Sequence, residues 1–196
     1  DHHQRHGDAF RPLIGDVRKE EDVNEAVETV LEEAGRVDVL VNNAGLGRFG
    51  RVDELPVEEF DLQMETNVRG YFLATRAVAP AMRAQNEESG FGGHVVNIVS
   101  IAGLVGNPEL SGYNASKYAV TGMSESLMKE LREDGIKVTA IYPGSTESHF
   151  SDEAGSSIAP NPMKADDVAE TVAHVISGPD NYLISDVVMR PLRPRG

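Results

Sequence analysis

The stretch His94-Val95-Val96-Asn97-Ile98-Val99-Ser100, residues 94–100, decides the fold. Its apolar side chains run almost without polar alternation, as in a strand covered on both faces, and such strands belong to parallel sheets flanked by helices. Val37-Asp38-Val39-Leu40-Val41 repeats the pattern upstream. Further runs near 10–15, 137–142 and 182–188 complete five expected strands. Between the first two, Val23, Ala26, Val27, Val30, Leu31 and Ala34 recur at helical spacing and make one apolar face. A longer helix is expected from Pro56, with Phe60, Met64, Val68, Tyr71 and Phe72 on its stripe, and Pro80 should kink or end it. Residues 113–131 read as a helix stopped by Asp134-Gly135, and 165–177 as a last helix closed by Gly178-Pro179. The alternation predicts an α/β domain: a doubly wound, mostly parallel sheet with helices on both faces. One domain is expected over 1–196, with a flexible polar segment at 1–9 and a loop over a site at 145–162.

Composition bounds the function. The chain has 196 residues, 40% of them hydrophobic, enough for one substantial core. It has no cysteine, which removes disulfides and thiolate metal sites. No apolar stretch approaches the roughly 18 residues of a membrane span, and the start is too polar for a signal peptide, so no membrane partner and a cytoplasmic location are the expectation. The formal net charge of -14 disfavours nucleic acid as a partner. Acidic residues are spread along expected helix faces, and arginine outnumbers lysine; a halophilic source and an ordinary acidic cytosolic enzyme both fit, and salt-dependent unfolding separates them. His2, His3 and His6 lie in a polar terminus with no further ligand at metal spacing, so no metal site is expected.

The chemistry is carried by Tyr113 and Lys117, four residues apart. On a helix they share a face one turn apart, where the cation would favour a phenolate. A free phenol titrates near about 10, so proton exchange with a carbonyl or alcohol oxygen near neutrality needs such a neighbour. Ser100 closes its strand, where a short donor on a rigid element could orient a substrate oxygen. Asn42-Asn43-Ala44-Gly45 follows another strand, at the carboxyl end where ligands of open parallel sheets bind. Gly45-Leu46-Gly47-Arg48-Phe49-Gly50 formally matches Gly-x-Gly-x-x-Gly, but no helix opens directly after it, so it is not read as a phosphate cradle.

Taken in order, Asp16-Val17, Asn42 to Gly45, Asn67-Val68, the run ending at Ser100, Tyr113 to Lys117, and Pro143-Gly144 resemble the short-chain dehydrogenases/reductases, in the branch built on Tyr-x-x-x-Lys. The resemblance extends from about Phe10 to the C-terminus. It implies a Rossmann-like fold and hydride transfer between NAD or NADP and a small carbonyl compound or secondary alcohol. In that reading Tyr113 is the acid/base and Lys117 depresses its pKa and binds the nicotinamide ribose. Ser100 bonds the substrate oxygen, and Asn67 completes a proton path through Lys117. Asp16 and Val17 flank the adenine; Asn42, Ala44 and Gly45 line the adenine and its ribose. Pro143 and Gly144 pass beside the nicotinamide, and Ser148 stands where a threonine often bonds the carboxamide. A homodimer or homotetramer, packed through the helix of Tyr113, is also implied.

In that family Asp16-Val17 follows the third strand. A strand-helix-strand unit of roughly 30 or more residues, carrying the glycine-rich turn, and the helix after it would precede Asp1. The fold is therefore expected to be N-terminally incomplete: the strand at 37–41 has a bare edge and the one at 10–15 has no neighbour. A truncated gene product, or a rearranged fold that pairs the edge through a second subunit, are the rival accounts. A non-catalytic, regulatory relative lacking the phosphate-binding unit is the alternative to the enzyme.

Overall fold

The computed structural model describes residues 10–147 and 160–193. Helix α1 (Glu20–Ala34) leads to β1 (Val39–Asn42), then α2 (Val57–Met64), a π-helical turn (Glu65–Arg69) and α3 (Gly70–Ser89). β2 (His94–Ile98), α4 (Ser111–Leu131) and β3 (Lys137–Pro143) follow. The short strands β4 (Thr146–Glu147) and β5 (Met163–Lys164) pair with each other, α5 (Ala165–Ile176) comes next, and β6 (Asp186–Met189) closes the sheet. The main sheet has the order β1-β2-β3-β6 and every pairing in it is parallel.

Parallel pairing sends each connection across a face of the sheet, and the sheet is packed accordingly. Val95, Val138, Leu131 and Ile136 form one buried cluster with Val78 and Met82 of α3. Val99, Ala140 and Tyr142 form a second with Tyr71 of α3 and Val120 of α4. Val96 and Ile141, of opposite orientation in the same strands, are also completely buried, and α5 packs against β3 with Val175 as its buried residue.

Three expectations are corrected. The run at 10–15 forms no strand: Phe10, Leu13 and Ile14 are exposed, and among the described residues no strand lies beside it. Strand propensity is not enough where no ladder partner is present. The outer edge of β1 is bare in the same sense, with Val39 and Val41 exposed. Of the two expectations for Pro80, a kink or an end, the end is ruled out; α3 runs through it to Gly90, whose φ of 78° supplies the stop. The carbonyl that loses its donor there belongs to Arg76, which is exposed to water, while Val78 and Met82 anchor the helix on either side. Finally, the helix expected from Pro56 is two helices joined by the π turn that contains Asn67.

Candidate active site

The site lies where β1 and β2 end: Ser100 and Lys117 gather at Tyr113, and Asn67 joins the loop after β1 to the same helix. Asn67 is fully buried in the π turn, a widening that often marks functional positions. Its amide brackets Leu46: Oδ1 accepts from the Leu46 N–H at 2.9 Å and Nδ2 donates to the Leu46 carbonyl at 2.9 Å. The same Nδ2 donates to Ser116 Oγ at 2.9 Å, so the loop after β1 is tied to α4 beside Tyr113. Asn67 holds the site's backbone rather than the π turn's own.

Tyr113 and Lys117 are both buried on the inner face of α4, at 7% and 4% exposure. Lys117 Nζ donates to the Ile98 carbonyl at 3.1 Å, the carbonyl to which Tyr71 Oη also donates, at 2.9 Å. It lies 5.7 Å from the ring centre of Tyr71 and 5.8 Å from that of Tyr113, between two aromatic faces. Ser100 follows β2 in extended backbone, accepts from the Ala102 N–H at 3.1 Å and hydrogen-bonds the Tyr113 side chain.

The electrostatics differ from the expectation that Lys117 favours a phenolate. Burial pushes the Tyr113 phenol up to about 12, against a smaller pull from the Ser100 hydrogen bond. Burial also pulls the Lys117 ammonium from 10.5 down to about 7. Desolvation penalises the charged form of both groups, and here it outweighs their mutual help. The chain alone holds a neutral phenol beside a lysine poised near neutrality.

The residues expected at a cofactor divide. Asp16, Val17, Ala44 and Leu46 line a cleft of about 500 Å³ with Gly15, Arg18, Leu62 and Thr66. The Asp16 carboxylate is engaged twice by the Arg18 guanidinium, which holds it down at about 2, and its N–H donates to Asp22 Oδ2 at 2.8 Å. Val17 sits on α3 because residue 70 is glycine; a Cβ there would stand 3.0 Å from Val17 Cγ2. Gly45 brings the backbone close against both side chains, since a Cβ there would lie 3.2 Å from Asn67 Oδ1 and 3.6 Å from Lys117 Nζ. Asn42 points elsewhere. Its Nδ2 donates to Asn97 Oδ1 at 2.9 Å and to Thr75 Oγ1 at 3.1 Å, inside the core, so its side chain has no donor left for the cleft. Pro143 closes β3 opposite Met189, and Gly144 is accounted for by packing, because a Cβ would stand 3.0 Å from Pro191 Cδ. Ser148 and most of the loop at 145–162 lie outside the described residues, as does the segment at 1–9.

Sequence reasoning missed two residues that shape this site. Asn114 is buried next to Tyr113, donates to the carbonyls of Ala102 at 2.6 Å and Val105 at 2.9 Å, and accepts from the Asn107 N–H at 3.1 Å. It staples the loop after Ser100 to α4. Phe49 sets its ring edgewise on Tyr113, 5.6 Å between centres. Polar Asn114 at the start of a buried helix face was a visible signal for the first; nothing local pointed to the second.

A parallel sheet with a Ser-Tyr-Lys constellation and an open, mostly apolar cleft at its carboxyl edge defines a dinucleotide-type oxidoreductase domain. Comparison with known proteins makes this specific. The short chain dehydrogenase family matches residues 1–158, and the chain belongs to that family. The chain is 41% identical over 142 residues to a 3-ketodihydrosphingosine reductase of Bacteroides thetaiotaomicron, covering 72% of this chain and 51% of the relative. The structure superposes with a TM-score of 0.85 on 3-ketoacyl-(acyl-carrier-protein) reductase from Brucella melitensis in complex with NADH, at 31% identity over 93% of this chain and 77% of that one. An alcohol dehydrogenase from Thermococcus sibiricus, in complex with 5-hydroxy-NADP, superposes with a TM-score of 0.81 at 27% identity over 92% of this chain and 74% of that one. The chain spans between about half and about three quarters of the length of the proteins it matches.

Proposed function

We propose that this domain carries the active site of a nicotinamide-dependent oxidoreductase that interconverts a small carbonyl compound and its secondary alcohol. The observation behind this reading is the meeting of Ser100, Tyr113 and Lys117 at the end of β2, with the Gly45 backbone close against Asn67 and Lys117.

The residues present fit a dinucleotide. The cleft offers the apolar side chains of Val17, Ala44, Leu46 and Leu62 to a flat base, with Asp16, Arg18 and Thr66 as its polar lining, and Gly45, next to Ala44 in the chain, lies against Lys117. NAD or NADP bound there would supply or accept the hydride. Asn42 would serve it through its backbone only, because its amide is engaged in the core.

Tyr113 exchanges the proton with the substrate oxygen, and Ser100 holds that oxygen within reach by its hydroxyl. In the reducing direction a neutral phenol is the required acid, and burial strengthens the preference of Tyr113 for that form. In the oxidising direction the phenolate must form, and a cationic ring in the cleft together with protonated Lys117 favours it. Lys117, anchored to the Ile98 carbonyl, keeps its ammonium between Gly45 and Tyr113, where it can hold a ribose hydroxyl. The homo-oligomer expected through α4 would use its outer side, where Tyr118 is exposed.

The test pairs binding with turnover. NADH and NADPH fluorescence titrations should show binding that Tyr113→Phe retains, while Tyr113→Phe removes turnover of any carbonyl substrate found by screening. Equal turnover in the two proteins would remove Tyr113 as the acid/base, whereas cofactor-dependent turnover in neither protein for any carbonyl or alcohol screened would remove the enzyme reading and favour a non-catalytic role.

A further inference from the structure

The loop after β1 and the loop after β2 meet above Tyr113, and the contact between them is built from backbone. The Gly50 N–H donates to the Glu109 carbonyl at 2.7 Å. Glu109 makes that carbonyl available by adopting a φ of 64°, a left-handed conformation that a side-chain-bearing residue enters only at a cost. Such local strain persists where the surroundings impose it, and it clusters at working sites. Its own side chain is exposed, so side-chain packing does not account for the conformation.

The loop it clasps is held from the other side as well. The Arg48 N–H donates to Oε1 of the fully buried Gln63 at 3.1 Å, and the Arg48 guanidinium pairs with Glu59 at 3.1 Å. Gly47 is buried between these anchors. The only large apolar side chain on the segment 47–50 is Phe49, and the three anchors fix its ring edge-on to Tyr113. An edge-to-face pair of this spacing is favourable beyond the area it buries.

We propose that Phe49 is a positioning residue for Tyr113: clamped by the Gly50–Glu109 clasp, its ring fixes the phenol's orientation and shields it from water. The proposal deepens the reading of Tyr113 as the acid/base and rests on it for its meaning, though not for its test. The groups facing the phenol are Lys117 on its own helix, Tyr71 on α3 and Ser100 after β2. None of these carries a negative charge at neutrality, so water exclusion is what raises the phenol above its ordinary value of 10, and Phe49 is the part of that exclusion contributed by a loop.

The experiment reads the phenol directly and needs no substrate. Tetranitromethane nitrates exposed phenolates, and the chain has five tyrosines and no tryptophan to compete. Labelling of the purified chain at about pH 8 would be followed residue by residue by peptide mass, with exposed Tyr118 as reference and buried Tyr71 as monitor of the fold. In Phe49→Ala, Tyr113 should label about tenfold faster relative to Tyr118, as expected for a pKa lowered by about one unit. Phe49→Leu, which keeps an apolar body over the ring, should stay near the wild-type rate. Should Phe49→Ala also expose Tyr71, Glu109→Pro provides the test: it forbids the positive φ, opens the clasp from the surface and should accelerate Tyr113 in the same direction. An unchanged Tyr113 rate in Phe49→Ala with Tyr71 still protected, or in Glu109→Pro with Tyr71 still protected, overturns the proposal. Tyr113→Phe with normal turnover would instead remove the catalytic reading and leave the labelling result standing.

Discussion

Replacing Lys117 by methionine should make the folded chain more stable at neutral pH, although it removes a residue on which the proposed chemistry depends. The argument is one of linkage. An unfolded chain holds this lysine protonated up to 10.5, whereas the folded one releases the proton near about 7 because the ammonium is desolvated. Between those values the unfolded state binds more protons than the folded one, so stability rises with pH through that window, and the penalty is fully present below it. At about 1.4 kcal/mol per pH unit the whole span is worth about 5 kcal/mol, of which about 4 kcal/mol is still in force at pH 7. Methionine loses the hydrogen bond to the Ile98 carbonyl and the two ring contacts, which together return about 1–2 kcal/mol. A net gain of about 2–3 kcal/mol at pH 7 follows.

Urea unfolding of the two proteins at a series of pH values checks both sign and shape. Between about pH 7 and about pH 9.5 the wild type should gain about 3 kcal/mol on Lys117→Met, closing the gap. The series stops there because Tyr113 and Tyr142, both held up to about 12, contribute stability that is lost as pH rises from 10 through 12. A stability difference that stays flat over this window, or a variant less stable than wild type at pH 7, would refute the claim that the ammonium is held against desolvation.

Two further outcomes are expected. Burial holds His94 down at about 4, with Lys137 adding to the effect, while its Nε2 stays 2.8 Å from Thr139 Oγ1. The unfolded state takes up this proton first, so the His94 contribution should lower stability by about 3 kcal/mol as pH drops from about 6.5 to about 4 and be constant above; His94→Gln should lose that part of the slope in acid unfolding curves. Asn42→Ala should cost about 2 kcal/mol in urea unfolding, by leaving Asn97 Oδ1 without its donor in the core, while changing NADH affinity by less than about threefold. A large loss of affinity with unchanged stability would restore Asn42 as a side-chain ligand.

Much of the frame was legible because it is written in local pattern. The continuous apolar runs around Val96 and Ile141 are buried on both faces, and the stripe Val120, Met123, Leu127 and Leu131 is the inner side of α4. Hydrophobic periodicity carries that information within a few turns. At Pro80, where a kink or an end was expected, the helix does not end: Val78 and Met82, both buried, anchor it on either side, and burial is what the local rule leaves out. At 10–15 the error runs the other way, since strand propensity was present and a ladder partner was not.

The site shows a second kind of limit. The spacing of Tyr113 and Lys117 correctly placed both on one buried face, yet spacing is silent on solvent. The inference that a lysine one turn away must depress a phenol assumed a charged lysine, and charge is what burial removes: the same exclusion of water that lifts Tyr113 lowers Lys117. Whether a pair of this type makes a phenolate is therefore decided by what else closes the pocket. Here that is Asn67 holding Leu46, Asn114 holding the loop after Ser100, and the clasp that keeps Phe49 on the ring. Each contact joins residues from different loops or helices, and no window of sequence contains both partners of the first or the last. A motif names the groups that react; the dielectric in which they react is a property of tertiary packing, and a cation arriving in the cleft would act on a phenol that packing has raised to about 12 beside a lysine that packing has lowered to about 7.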